Sequence, residues 1–283
     1  MIERVGVVGC GLMGSGIAEV CARAGLDVIV REVTPEAAEA GRSRLVKSLD
    51  RGVTAGKLAE ADRDAALAKL TFTTDLGDLA DRQLVVEAVV EDEAMKVAIF
   101  QELDKVVADA AILASNTSSI PIMKLGTVTQ RPEQVIGIHF FNPVPVLRLV
   151  ELVTSLMTSD ATIEQANAFA TEQLSKRVIR SQDRAGFVVN YLLIPYLLSA
   201  IRMLESGFAS ADDIDTGMVE GCSHPMGPLR LTDLIGLDTT LAVAESLYQE
   251  FKEPLYAAPP LLSRMVDAGL LGRKTGRGFY QYK

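Results

Sequence analysis

The sequence has few of the residues that build disulfides, metal sites and nucleic-acid surfaces. Its three cysteines, Cys10, Cys21 and Cys222, are odd in number and form no C-x-x-C pair, so they indicate neither a disulfide framework nor a thiolate metal site. Acidic residues outnumber basic ones and give a net charge of −9, whereas a nucleic-acid surface needs a basic stripe. We therefore expect a reducing compartment, no metal and no nucleic-acid partner.

Long apolar runs are also scarce, and only residues 186–204 come near the length of a membrane span. Asn190, Pro195 and Arg202 interrupt this run, so we expect a buried helix or a dimer seam and no membrane contact. No charged segment followed by a cleavable apolar stretch precedes the first predicted strand, which favours a cytoplasmic protein. The chain is long enough for two domains.

A glycine-rich turn, V-G-V-V-G-C-G-L-M-G at 5–14, joins a predicted strand to a predicted helix. Gly9 permits a tight turn, Gly11 leaves room for a pyrophosphate, and Gly14 lets the helix approach the sheet. Any glycine-rich strand-to-helix turn can show this spacing, but here a second predicted strand leads to Glu32, 18 residues after Gly14. This order predicts a dinucleotide site in a doubly wound α/β domain of the Rossmann type.

The carboxylate of Glu32 is expected to bind the adenosine ribose and to repel the 2′-phosphate of NADP. Arg31 beside it would offset part of that repulsion. We therefore expect NAD as the cofactor and leave NADP open.

A helical hairpin is predicted over residues 35–69, with Thr34 as its N-cap and Pro35 at the first helical position. Arg44, Lys47 and Arg51 share one face of its first helix because they are spaced i, i+3, i+7. Two interpretations remain open: a solvated surface, or a phosphate-binding face for a ligand that extends past the dinucleotide site.

Polar residues follow two further predicted strands. Residues 84–90 form an apolar strand with Glu91 at its end and Lys96 in the helix after it, and the next strand ends in S-N-T-S-S at 115–119. Ligands of open α/β sheets bind at the carboxyl ends of the strands, which favours a functional loop there. Serine and asparagine are also ordinary turn and cap residues, and the sequence alone does not decide between these roles.

The chain contains only two histidines, and His139 directly follows the predicted strand 135–138. A hydride-transfer enzyme that acts on an alcohol needs a group that titrates near neutrality to take the hydroxyl proton. The return strand 149–153 carries Glu151 among apolar residues, where a carboxylate requires a partner. An acid–base pair is predicted; the alternative is a core histidine beside a glutamate that faces solvent.

With these residues in view, the chain resembles the 3-hydroxyacyl-CoA dehydrogenase family, most closely its short bacterial members that act on 3-hydroxybutyryl-CoA. The motifs that carry the resemblance span nearly the full length: G-x-G-x-M-G-x-G-I-A at 9–18, S-N-T-S-S at 115–119, H-F-F-N-P-V-P at 139–145, L-V-E at 149–151, G-F-V-x-N at 186–190, H-P-M-G-P at 224–228, D-L-I-G-L-D at 233–238 and K-T-G-x-G-F-Y at 274–280. Glu32 replaces the usual aspartate, Cys10 replaces a small residue, and the hairpin matches least well.

The resemblance implies a role for individual residues. His139 would be the general base and Glu151 its partner, while Ser118 and Asn190 would hold the reacting part of the substrate. The cofactor would contact the glycine turn and residues that line the ribose and nicotinamide, namely Gly9, Gly11, Leu12, Met13, Gly14, Glu32, Glu91, Lys96, Asn116, Ser118, Asn142 and Lys274. Ser48 and Lys57 of the hairpin would contact CoA.

The resemblance further implies two domains, an NAD-binding domain over 1–184 and an all-α domain over 185–283 for substrate binding and homodimer formation. The expected reaction is the NAD-dependent interconversion of a short L-3-hydroxyacyl-CoA, such as 3-hydroxybutanoyl-CoA, and a 3-oxoacyl-CoA. The alternatives are a dehydrogenase of a small β-hydroxy acid without CoA, and a dinucleotide-binding relative without catalysis.

Overall fold

The structure is a computed structural model that describes residues 1–282. The chain divides into two compact units, Met1–Arg184 and a second unit that begins at Ala185. Each unit is described by itself below.

The first unit is built on a single sheet whose strands run in the order β3-β2-β1-β4-β5-β6-β7-β8. The strands of the described chain are β1 (Arg4–Val8), β2 (Asp27–Arg31), β3 (Leu70–Thr73), β4 (Leu84–Glu87), β5 (Ile112–Ser115), β6 (Val135–Phe140), β7 (Leu149–Thr154) and β8 (Arg177–Gln182). Neighbouring strands are parallel except at the β6–β7 pair, which is antiparallel. The reversal of strand order on either side of β1 and β4 creates the crevice in which ligands of doubly wound sheets bind.

Six helices accompany this sheet in the described part of the first unit: α1 (Leu12–Arg23), α2 (Pro35–Thr54), α3 (Glu60–Leu67), α4 (Glu93–Val106), α5 (Ile122–Gly126) and α6 (Asp160–Ala168). The Thr34 hydroxyl accepts a hydrogen bond from the Ala37 amide at the start of α2, and Pro35 occupies the first turn, as predicted. The helices α2 and α3 form the predicted hairpin.

Burial explains why the central strands are apolar. All four residues of β4 are buried, as expected when helices cover both faces of a parallel sheet. Val5, Val7 and Val86 join Ile17 of α1 in one continuous core. Glu87 is the charged exception at the end of β4, and its partners are described below.

Three details of the first unit differ from the sequence-based expectation. The edge strand β3 was not predicted, because Leu70–Thr73 is short and only pairing with β2 defines it. The sequence predicts a linker between the domains over residues 181–186, but Ser181 and Gln182 belong to β8. The start of α5 is capped by Asp183, whose carboxylate accepts from the amides of Ile122 and Met123, and not by a residue of the loop 115–119, whose serines and asparagine are potential cap residues.

The described part of the second unit is helical, with α7 (Val189–Glu205), α8 (Ala211–Cys222), α9 (Pro228–Ile235), α10 (Leu237–Phe251) and α11 (Pro260–Asp267). Ile194, Leu198 and Ile201 place the inner face of α7 in the core of this unit. No described helix combines the length and the apolar character needed to cross a membrane. The predicted fold class, a Rossmann-type α/β domain followed by a helical domain, is confirmed.

Two buried aspartates attach the carboxyl-terminal segment to the helices of the second unit. The Asp233 carboxylate accepts from the backbone amides of Phe279 and Tyr280, and the Tyr280 hydroxyl donates to Asp215 at 2.9 Å. Burial, followed by the adjacent Asp215 carboxylate, raises the pKa of Tyr280 above its usual range. Both aspartates thus hold the segment at Phe279 and Tyr280, a few residues after Lys274.

Candidate active site

The candidate site of the first unit lies where the central strands end. The glycine turn follows β1, Glu91 follows β4, the loop 115–119 follows β5, and His139 lies near the end of β6. Because these strands are parallel neighbours, their carboxyl ends meet at one edge of the sheet. The sheet therefore gathers most of the polar residues that were predicted for the site.

The glycine turn has the backbone that a dinucleotide requires. Gly9 adopts φ +90°, and an added Cβ there would lie 2.8 Å from the Ala88 carbonyl oxygen. At Gly14 an added Cβ would lie 1.8 Å from the Gly9 carbonyl oxygen, so α1 starts against the turn itself. Gly11 faces open space and lacks a side chain that could accept from the first amides of α1. Leu12 and Met13 supply those amides at an exposed helix start, the kind of position at which backbone amides bind anions in other proteins.

Glu32 and Arg44 both form hydrogen bonds to the backbone of the glycine turn. The Glu32 carboxylate accepts from the backbone amides of Cys10, at 2.5 Å, and Val33, at 3.2 Å. The Arg44 guanidinium donates to the Cys10 carbonyl at 2.6 Å, which ties α2 of the hairpin to the turn. Burial, reinforced by Glu32, raises the pKa of the Cys10 thiol to about 12, so this thiol stays protonated. Glu32 thus lies beside the turn, where a ribose carboxylate is expected.

His139 and Glu151 are opposite residues in the antiparallel β6–β7 pair. The imidazole Nδ1 lies 2.7 Å from Glu151 Oε2, and both side chains are buried, with the glutamate fully enclosed. An ionised carboxylate can only accept, so Nδ1 carries the hydrogen and the neutral ring keeps a lone pair at Nε2. Ser118 Oγ lies 3.0 Å from that Nε2. The arrangement presents one basic nitrogen beside a hydroxyl group.

Some side chains of the loop 115–119 hydrogen-bond to the sheet, and others lie at the candidate site. The Asn116 side chain accepts from the Phe140 amide at 2.8 Å and so joins β5 to β6, with little of the residue exposed. Ser118 is half-buried beside His139. The predicted residue Asn142 follows β6 and is exposed.

A buried polar network connects β4, β5 and α4. Lys96 Nζ lies 2.8 and 3.0 Å from the two carboxylate oxygens of Glu87 and 3.1 Å from Glu91 Oε2. Ser115 Oγ donates to Glu87 at 2.6 Å, and the other oxygen of Glu91 accepts from the Ser118 amide. Burial alone would raise the pKa of Glu91, but the Lys96 charge and the hydrogen bonds from the loop outweigh it and lower that pKa.

Sequence reasoning did not assign Glu87 or Ser115. The sequence did indicate a buried partner for Glu87, because a carboxylate inside the apolar run 84–90 requires a buried counter-charge. The identity of that counter-charge, Lys96, follows only from the packing of α4 on the sheet.

The cations of the hairpin do not all have the same surroundings. Arg44 contacts the glycine turn, whereas Lys47 and Arg51 are exposed. Ser48 is half-buried and hydrogen-bonds toward Glu19 of α1, whose pKa is raised by burial despite that bond. The predicted contact Lys57 is exposed in the turn after α2.

Two predicted site residues belong to the second unit. Asn190 lies half-buried in the first turn of α7. Lys274 donates to both carboxylate oxygens of Asp238 at 2.6 Å.

Comparison with known proteins assigns both units. Residues 4–184 match the family model of the 3-hydroxyacyl-CoA dehydrogenase NAD binding domain, and residues 186–282 match the model of the 3-hydroxyacyl-CoA dehydrogenase C-terminal domain. A 3-hydroxybutyryl-CoA dehydrogenase of Mycobacterium tuberculosis is 63% identical over 282 residues, which cover 99% of each chain. The mitochondrial hydroxyacyl-coenzyme A dehydrogenase of Homo sapiens is 40% identical, and the aligned residues cover all of this chain and 92% of that protein.

Solved structures agree with these relatives. The crystal structure of M. tuberculosis FadB2 superposes with a TM-score of 0.99 at 63% identity and covers all of this chain and 99% of the other. The (S)-3-hydroxybutyryl-CoA dehydrogenase of Ralstonia eutropha gives a TM-score of 0.95 at 48% identity, with both chains fully covered. The resemblance seen in the motifs is confirmed along the whole described chain, which therefore belongs to the 3-hydroxyacyl-CoA dehydrogenase family and carries its NAD-binding domain.

Proposed function

We propose that this protein is an NAD-dependent dehydrogenase that interconverts a short L-3-hydroxyacyl-CoA, such as 3-hydroxybutanoyl-CoA, and the 3-oxoacyl-CoA, such as acetoacetyl-CoA. One observation carries the proposal: His139 is held between Glu151 and Ser118 at the sheet edge that also bears the glycine turn. The relatives that are named for 3-hydroxybutyryl-CoA support the choice of a short acyl chain.

His139 acts as the general base in the oxidative direction. Its Nε2 takes the proton of the substrate hydroxyl, and the Nδ1–H bond to Glu151 stabilises the imidazolium that results. In the reductive direction the imidazolium returns the proton to the ketone oxygen. Ser118 Oγ, which neighbours Nε2, donates a hydrogen bond to the same oxygen and orients it.

The residues of the first unit fit a dinucleotide. Gly9, Gly11 and Gly14 would hold the pyrophosphate, and Glu32, which lies beside this turn, would bind the adenosine ribose hydroxyls. Bound NAD supplies the nicotinamide that accepts hydride from C3 of the substrate. Glu91 and Asn142 are exposed at the strand ends and would contact the nicotinamide half.

The second unit contains two further residues that the family resemblance assigns to ligand binding. Lys274, held by Asp238, binds the cofactor, and Asn190 binds the thioester region of the substrate. The exposed cation Lys57 and the hairpin residue Ser48 bind CoA, and the nearby basic face would attract its phosphates.

Glu32 favours NAD over NADP. Its carboxylate is fixed on the Cys10 amide, and a 2′-phosphate beside it would meet an immobile negative charge. Arg31 donates a hydrogen bond to the Thr74 carbonyl. This contact holds its guanidinium away from the charge of Glu32, which it would otherwise offset.

We place the enzyme in the cytoplasm as a homodimer. The cysteines, all free in the described chain, support a reducing compartment. Exposed apolar residues of α7, among them Leu192 at 67% exposure, support a dimer through the helical unit.

The proposal is tested by the initial rate of NADH oxidation after acetoacetyl-CoA is added to the purified protein, with NADPH measured in parallel. We expect turnover with a preference for NADH. An NADPH preference would contradict the assignment of Glu32. Binding of NADH without turnover of acetoacetyl-CoA would favour a small β-hydroxy acid without CoA, or a relative without catalysis.

A further inference from the structure

The helix α2 packs against the glycine turn at Gly41. An added Cβ at Gly41 would lie 2.6 Å from both the Cβ and the Sγ atoms of Cys10, which is closer than side-chain carbons approach other atoms in proteins. Gly41 and the next residues on its helix face, Leu45 and Leu49, are buried. Glycine at position 41 therefore allows the backbone of α2 to lie directly on the turn.

Arg44 follows Gly41 by three residues, so it lies on the neighbouring part of the same helix face. Its Nη1 donates to the Cys10 carbonyl at 2.6 Å. A guanidinium has five N–H donors and stays charged in proteins. Within residues 1–282 the Cys10 carbonyl is the one oxygen to which Arg44 hydrogen-bonds, and the residue is exposed to solvent. Arg44 thus brings a cation with unused donors to the turn.

Two opposite charges are fixed on Cys10. The Glu32 carboxylate accepts from its amide, and the Arg44 guanidinium donates to its carbonyl. A diphosphate bound at the turn is negatively charged, and Glu32 repels it. The first amides of α1 offer only the partial charge of a helix start, about half an elementary charge. The full positive charge of Arg44 offsets that of Glu32 and suits the turn to an anion.

We propose that Arg44 binds the diphosphate of the dinucleotide cofactor, as a cation that α2 fixes beside the glycine turn. The inference rests on the proposed function, which places the cofactor diphosphate on this turn. One N–H remains on the Cys10 carbonyl and sets the direction of the guanidinium, while the other donors bind phosphate oxygens, which arginine contacts as a planar fork. Within the hairpin, Arg44 thus serves the cofactor, and the exposed cations farther along α2, Lys47 and Arg51, remain for CoA.

A purely structural role for Arg44 predicts different effects. If Arg44 only braced the Cys10 carbonyl, its loss would loosen the turn and weaken every ligand bound there, with or without a phosphate. That loss would be independent of salt, whereas the attraction between an exposed cation and a phosphate is screened by salt. The charge of the ligand and the ionic strength therefore separate the two roles.

The first experiment measures the dissociation constant of NADH by titration calorimetry for the full chain, with the variants Arg44→Met and Arg44→Lys. Methionine keeps the apolar stem of the side chain and removes the charge. We expect R44M to raise the Kd about tenfold at low salt, which corresponds to about 1.4 kcal/mol. R44K keeps the charge but loses the planar fork, so its Kd should lie between those of R44M and the unmodified protein. The effect of R44M should shrink as the ionic strength rises from about 50 mM to about 500 mM.

The second experiment uses parts of the cofactor as probes. ADP-ribose contains the diphosphate and adenosine does not, and the affinity of each is obtained from its displacement of NADH, followed by NADH fluorescence. R44M should weaken ADP-ribose by about the same tenfold as NADH. Its affinity for adenosine should equal that of the unmodified protein, because adenosine carries no charge for Arg44 to bind.

Arg42→Met is the matched control. Arg42 is also an exposed arginine of α2, but it precedes Arg44 by two residues and therefore points away from the face that packs on the turn. R42M removes the same charge from the same helix and leaves the bond between Arg44 and Cys10 in place. We expect its Kd for NADH to stay within about twofold of the unmodified value, since a distant exposed charge is screened. Melting temperatures are measured for every variant, and all should fold because the changed residues are exposed.

Several results would overturn the inference. One is an R44M protein that binds NADH as the unmodified protein does, and another is an R42M protein that is as impaired as R44M. An equal loss for ADP-ribose and adenosine would indicate bracing of the turn alone. Weaker binding of CoA by R44M, with unchanged binding of NADH, would assign Arg44 to the substrate.

These measurements also separate the inference from the proposed function, because binding needs no turnover. A protein that binds NADH but leaves acetoacetyl-CoA unreduced would contradict the proposed function alone. An active protein whose R44M variant binds NADH and ADP-ribose normally would contradict the inference alone.

Discussion

His139 on β6 and Glu151 on β7 are cross-strand partners whose side chains meet at 2.7 Å inside the protein. The antiparallel β6–β7 pair within an otherwise parallel sheet sets this contact, because it places the two residues opposite each other on one face. The partnership fixes the imidazole tautomer and leaves Nε2 for the substrate. It is also the contact whose removal is simplest to interpret.

Replacement of His139 by alanine should lower kcat by about 10²- to 10⁴-fold, because the hydroxyl proton then has no acceptor. NADH affinity should remain, since the imidazole does not form part of the glycine turn. Initial rates and calorimetry measure the two quantities. His224→Ala removes the other histidine of the chain, which contacts Tyr196, and should keep its activity. Loss of NADH binding in the His139 variant would contradict its assigned role.

Glu151→Gln should lower kcat on the order of 10²-fold, because an amide neither selects the Nδ1–H tautomer nor stabilises the imidazolium. The fold should persist, since glutamine fills the same volume between β6 and β7. The rates are measured together with the melting temperature. An E151Q protein with unchanged kcat would show that the pair is structural.

Two glycine substitutions separate cofactor binding from folding. Gly14→Ala places a Cβ 1.8 Å from the Gly9 carbonyl oxygen and should destabilise the protein by about 1–3 kcal/mol or more, as overpacking does. At Gly11 an added methyl meets no atom within 4 Å, so Gly11→Ala should leave the melting temperature unchanged. NADH affinity should nevertheless fall in G11A if the pyrophosphate approaches there. Unchanged affinity in G11A would argue against that placement.

Glu19 on α1 makes stability depend on pH. Burial raises its pKa, although Ser48 and Arg23 oppose the shift, and one carboxylate oxygen has no hydrogen-bond partner in the described chain. A raised folded-state pKa means that the folded protein binds the proton more tightly than the unfolded one. The stability that protonated Glu19 contributes is therefore fully present below the pKa of Glu19 in the unfolded protein. It is lost as the pH rises through the pKa of Glu19 in the folded protein.

Glu19→Gln should consequently raise the free energy of unfolding at neutral pH, and the gain should disappear on acidification below the unfolded pKa. Urea unfolding of both proteins across that range measures it. Glu164→Gln changes an exposed carboxylate on α6 and serves as the control, with little change at any pH. An E19Q gain that is independent of pH would contradict the titration argument.

Asp233→Ala should release the carboxyl-terminal segment. The substitution leaves the amides of Phe279 and Tyr280 and the Tyr282 hydroxyl without their acceptor, at a cost of about 3 kcal/mol. Limited proteolysis at Arg277 should accelerate along with the loss of stability. Asp267→Asn changes an exposed residue at the end of α11 and should stay within about 0.5 kcal/mol. Protection of Arg277 in the D233A protein would show that other contacts hold the segment.

Local patterns in the sequence determined much of the architecture. The glycine turn with Glu32 predicted the dinucleotide fold, and Thr34 with Pro35 predicted the start of α2, because caps and turns depend on neighbours in the chain. The scarcity of histidine singled out His139, and the apolar context of Glu151 required a partner. Each of these conclusions uses either the composition of the chain or residues within a few consecutive elements.

Tertiary structure decided which side chains and strands of different elements contact each other. The Asp183 carboxylate caps α5 from 60 residues away, and β3 exists only because it pairs with β2. Lys96 pairs with Glu87 because α4 lies over the end of β4, although the sequence marks both only as charges near an apolar strand. Such pairs depend on how helices pack on the sheet, and a buried charge selects its partner by distance in space, which the order of residues does not encode.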